Sequence, residues 1–141
     1  MNAQPAAEEV TSAEGWHQAA SAGNVEMLTR RLAGGQRVDA RDSYGQTALM
    51  VAARLGHCAA VELPIAHGAS LDMTAKYGLS ALMLAVINRH ARVARQLVAA
   101  GADLSIRGTG APGFAGKTAR AIAEDSGQPD LAAAIAAQGG P

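Results

Sequence analysis

Apolar positions in this chain come in short bursts at helical spacing, and each burst is closed by small or polar residues. Val25, Met27, Leu28 and Leu32 recur on one helical face before Gly34-Gly35, which predicts a helix over 25–33. Ahead of it, Ser12 can cap a helix over 13–22 that Gly23-Asn24 stops. The same two-helix plan returns over 47–55 and 58–67 around Gly56-His57, and over 80–88 and 92–100 around Asn88-Arg89-His90. A last pair is predicted over 118–126 and 129–137, with Pro129 in a first turn where its missing N–H costs nothing. Polar, turn-rich stretches at 38–44 and 73–77 read as projecting loops between pairs.

These elements are written on a fixed period. Moving 33 positions along turns Gly45 into Gly78, Thr47 into Ser80, Leu49 into Leu82 and Ala52 into Ala85; Gly35, Gly68 and Gly101 keep the same interval. A period of this size marks a repeat architecture in which neighbouring units bury one another's apolar faces. The expected fold is therefore an all-α repeat solenoid.

Composition narrows the function classes. The apolar content is mostly alanine, with four aromatic residues in 141, and an alanine buries about a third of the area of a leucine. Thin, closely packed helical layers suit such a chain. Twelve basic residues balance twelve acidic ones, so the basic excess of a nucleic-acid binder is absent. The single Cys58 cannot form an internal disulfide, and no apolar run approaches a membrane span. The opening residues lack the basic and apolar regions of a signal peptide. A cytoplasmic monomer without a membrane or nucleic-acid partner is expected, with a disordered leader over 1–12.

The residues then resemble ankyrin repeats. One copy reads Gly45-Gln46-Thr47-Ala48-Leu49-Met50-Val51-Ala52-Ala53, then Gly56-His57, then Gly68-Ala69-Ser70. The next reads Gly78-Leu79-Ser80-Ala81-Leu82-Met83-Leu84-Ala85, then Gly101-Ala102-Asp103. The resemblance covers nearly all of 13–139, as units of about 13–42, 43–75, 76–107 and 108–139. It implies an ankyrin stack of antiparallel helix pairs joined by β-hairpin-like loops. By the same resemblance the chain is a non-enzymatic protein-binding module or adaptor that uses its loop tips and concave helix face. The alternative is a small regulatory or immunity-type inhibitor of a specific partner enzyme. Partner contacts are implied at Arg41, Ser43, Tyr44, Gln46, Arg54 and Leu55, and one repeat later at Thr74, Lys76, Tyr77, Leu79, Ile87 and Asn88. Tyr44 and Tyr77 either anchor a partner, as tyrosines commonly do, or pack each loop on its neighbour.

Three departures from the pattern stand out. Gly78 to Gly116 spans 38 residues, so about five extra residues fall near 108–113, beside Phe114. Asn88 stands at a helix–helix turn where it can take the left-handed conformation. Pro64 falls about seven residues into its helix, where it removes a hydrogen bond to the Ala60 carbonyl; a kinked or shortened helix is expected there.

Chemistry is otherwise sparse. The histidines His17, His57, His67 and His90 are not spaced as a metal pair on one helix. Residues 110–118 end in Gly116-Lys117-Thr118, but Ala111 stands where a phosphate-binding loop needs its first glycine. No catalytic residue, cofactor or metal is expected.

Overall fold

The computed structural model describes residues 13–110 and 113–138. The leader expected over 1–12, the end of the last unit beyond 138, and Ala111 and Pro112 of the expected insertion lie outside them. Eight α-helices form among the described residues: α1 (Ala13–Ala22), α2 (Val25–Ala33), α3 (Ala48–Leu55), α4 (Cys58–Ala66), α5 (Ala81–Ile87), α6 (Ala91–Ala99), α7 (Ala119–Asp125) and α8 (Pro129–Gln138). They pair as α1–α2, α3–α4, α5–α6 and α7–α8, and the pairs stack in order. First helices pack on first helices along one row, α1 to α7, and second helices on second helices along the other, α2 to α8.

Local chemistry sets where the first helices begin. Thr47, Ser80 and Thr118 take extended conformations, and their hydroxyls accept from the backbone N–H of Met50, Met83 and Ala121 at 3.2–3.3 Å. Each cap satisfies one of the donors that a helix start leaves open. Leu49 and Leu82 fill the core, while Ala52 and Ala85 are fully buried and leave room for the neighbouring helix. The core is continuous from Trp16 to Ile135.

The turns inside the pairs are locked by the next pair. Gly56 has φ +80°, and a Cβ there would lie 2.5 Å from the His90 ring. Gly23, one repeat earlier, has φ +68° and lies under His57 in the same way, with His57 Nε2 donating to the Ser21 carbonyl at 2.9 Å. The expectation for Asn88 is corrected here. Asn88 ends α5 with φ −92°, and the left-handed position belongs to Arg89, φ 64°. Arg89 stands 33 residues after Gly56, so the strain of a side-chain-bearing residue there accompanies a hydrogen bond from Arg89 Nη1 to the Ser126 carbonyl in the last pair, 2.8 Å.

Between pairs, the loops are tied by an aspartate ladder. Asp39 accepts from the Ser70 backbone N–H at 3.1 and 3.2 Å, and Asp72 accepts from the Asp103 N–H at 2.8 Å. Asp103 turns to its own loop instead. The Ser105 hydroxyl, then the Ser105 N–H, hold its carboxyl below the usual carboxylate range. That preference exists above the ordinary carboxylate range and is lost as pH falls through the lowered value.

Pro64 sits inside α4, which is as long as its counterpart α6, nine residues each. The expected shortening is thus absent: burial of Ala60, Val61 and Pro64 holds the helix together despite the missing hydrogen bond. The cost of an interior proline remains about 3 kcal/mol. Leu97 fills the equivalent place in α6 and is fully buried. Pro64→Leu is expected to stabilise the chain by about 1–3 kcal/mol, read as a raised midpoint in urea unfolding. An unchanged or lower midpoint would show that the slot is shaped for proline.

Candidate functional site

The loop before α3 is built from its own polar residues. Asp42 Oδ1 accepts from the backbone N–H groups of Tyr44 (2.9 Å) and Gln46 (2.8 Å), and the Asp42 N–H donates to the Gln46 carbonyl. Gly45 supplies the left-handed turn at φ +78°. Arg41 Nη1 donates to the Gly45 carbonyl at 2.6 Å and to the Thr74 carbonyl of the next loop at 3.0 Å. Arg107, two repeats on, makes the equivalent bond to the Gly116 carbonyl at 2.7 Å. From beneath, the buried His17 places Nε2 at 2.8 Å from the Gln46 carbonyl and 3.1 Å from that of Ala40. Tyr44 is thus carried outward on a fixed loop and is 76 % exposed.

Between this loop and the first-helix row lies an open depression of about 630 Å³, lined by His17, Gln18, Ser21, Arg41, Asp42, Ser43, Tyr44, Gln46, Val51 and Arg54. It brings together Arg41, Ser43, Tyr44, Gln46 and Arg54 of the residues singled out in the sequence. Arg54 Nε and Gln46 Oε1 are shielded from solvent there without a hydrogen-bond partner. Leu55 is exposed but lies off the lining.

The second loop differs. Tyr77 is left-handed (φ 65°) and 41 % exposed, and Lys76 Nζ stands 4.9 Å from its ring centre. The excursion that begins at Gly108 is fastened to it: the Thr109 N–H donates to the Tyr77 carbonyl at 2.7 Å, and Gly110 lies against the ring. Thr74 and Ile87 are half-buried, and Asn88 is exposed while donating to the Leu84 carbonyl at 2.8 Å. Leu79 is 7 % exposed. Its side chain belongs to the core, because the loop closes through a bridge between Thr74 and Ser80 that turns Leu79 inward.

Sequence reasoning missed the ladder of Asp39 and Asp72, the shared strut role of Arg41 and Arg107, and Gln18, Ser21 and Val51 in the lining. The first two carry a signal, since their spacings are one and two repeats. The lining residues carry none, because only the approach of loop to helix collects them. Among the described residues, no group of three His, Cys, Asp or Glu could hold a metal ion, and no helix is long and apolar enough to cross a membrane.

Stacked helix pairs with loops fixed along one side define a repeat scaffold whose shape is suited to binding. The chain matches the family model for ankyrin repeats (3 copies) over residues 16–108, and it belongs to the ankyrin-repeat family. Repeats of this family are generally protein–protein interaction modules. The match ends before α7, although α7 and α8 stack on α5 and α6 as a fourth pair. No curated protein matches the chain.

His17→Ala removes a buried donor beneath the Ala40 and Gln46 carbonyls. It is expected to cost about 1–3 kcal/mol in urea unfolding and to speed amide exchange at Tyr44 and Gln46. Unchanged exchange at those amides would show that Asp42 alone shapes the loop.

Proposed function

We propose that the chain is a non-enzymatic binding module that holds a segment of another protein in the depression between the 41–46 loop and the first helices. The observation that carries this reading is the placing of Tyr44, held out on a loop fixed by Asp42, Arg41 and His17, at the edge of a depression of about 630 Å³. A large, rigid, amphipathic ring beside a preformed depression loses little freedom on binding. Tyr77 supports the packing role instead, since Thr109 and Gly110 are fastened against its carbonyl and ring. The partner surface on this reading is Tyr44, Arg54, Gln46 and Ser43, with Arg41 as a strut.

Tyr44→Ala tests it. The immobilised full chain, wild type and variant, is exposed to a lysate of its source organism, and the captured proteins are quantified by mass spectrometry. Recovery of the specific partner should fall several-fold while stability changes by no more than about 0.5 kcal/mol, as for an ordinary surface position. Tyr77→Ala should do the reverse, lowering the unfolding midpoint more than recovery. Unchanged capture by Tyr44→Ala together with a lowered midpoint would assign Tyr44 to loop packing.

A further inference from the structure

The depression is unevenly charged. Arg41 and Arg54 both line it, and Asp42 is the one acidic residue of the lining. The Oδ1 of Asp42 already accepts two backbone N–H groups. Arg41 is held on the rim by the Gly45 and Thr74 carbonyls, so its positive charge is fixed in place.

Arg54 is different. The ion pairs among the described residues are Arg30–Glu26, Lys117–Asp125 and Arg120–Glu124, and Arg54 takes part in none of them. Its Nε is shielded from water and has no acceptor. The rest of the guanidinium borders the depression with no anionic partner among the described residues, which favours an incoming carboxylate. Helix chemistry does not account for the residue. A cation in the last turn is favourable for any helix, yet the equivalent positions hold Ser21, Ile87 and Asp125 in the other first helices. A cation without an anionic partner at the edge of the depression matches a carboxylate.

Resting on the groove reading above, we propose that the partner segment carries an aspartate or glutamate whose carboxylate docks on the Arg54 guanidinium. Charge-assisted pairing of this kind is stronger than neutral hydrogen bonding and weakens as salt screens it.

Display of random dodecamer peptides against the full chain tests this, with selected peptides made synthetically and titrated by fluorescence polarisation. Peptides that lose affinity for Tyr44→Ala should share an acidic residue at one fixed position. Replacing that residue by its amide in the peptide should weaken binding about tenfold or more. This arm leaves the folded chain untouched. Arg54→Ala should weaken the acidic peptide by a similar factor but leave the amide peptide unaffected, and Arg54→Lys should restore part of the loss. Groove-bound peptides that lack a shared acid, or that bind Arg54→Ala as well as wild type, overturn the carboxylate contact and leave the groove standing. A selection in which no peptide responds to Tyr44→Ala overturns the groove reading and this inference together.

Discussion

No helix among the described residues can stand alone. Those described run from seven to ten residues, below the length at which an isolated helix persists in water. Each is stable because a neighbouring pair covers its apolar stripe, and close approach depends on small residues such as Ala52, Ala85 and Ala123, all fully buried. Short-range mutual burial is the constraint from which the rest follows. It makes the stack modular, and it leaves little bulk for any deep cavity.

A second set of interactions turns this stack into a fixed surface. Asp39 and Asp72 join successive loops, Arg41 spans two loops, and His57 and His90 close over the glycines of the preceding turns. These bonds recur at repeat spacing and cost little ordering, because each end is already placed by a helix pair. What varies is the decoration upon them. The first-helix position of Ser21, Arg54, Ile87 and Asp125 carries a different chemistry in every unit. The scaffold repeats and the surface does not.

Much of the fold was legible in the sequence. The 33-residue interval, the Thr47, Ser80 and Thr118 caps and the glycines located every described helix to within about one residue, the usual scatter of helix ends, because helix starts and stops are decided by local hydrogen bonding. Two turns show where that reasoning stops. Asn88 has the better intrinsic claim to a left-handed backbone, yet Arg89 takes it, because stacking register puts position 89 where Gly56 stands one unit earlier. Pro64 disfavours its helix locally, yet α4 keeps full length because its face is buried between α2 and α6.

The site was legible in part for the same reason. Tyr44, Gln46 and Arg54 follow from where a loop and a first helix lie in the repeat, so the sequence by itself determined which stretches border the depression. It also determined the family and the number of helix pairs, since both are written in periodic, local signals. Only the tertiary structure decided that the Tyr44 loop stays open while the Tyr77 loop is covered, because Thr109 and Gly110 lie back on it. It alone turned Leu79 inward and gathered His17, Ser21, Tyr44 and Arg54 around one depression. Those outcomes depend on contacts between residues far apart in the chain, and no local pattern carries them.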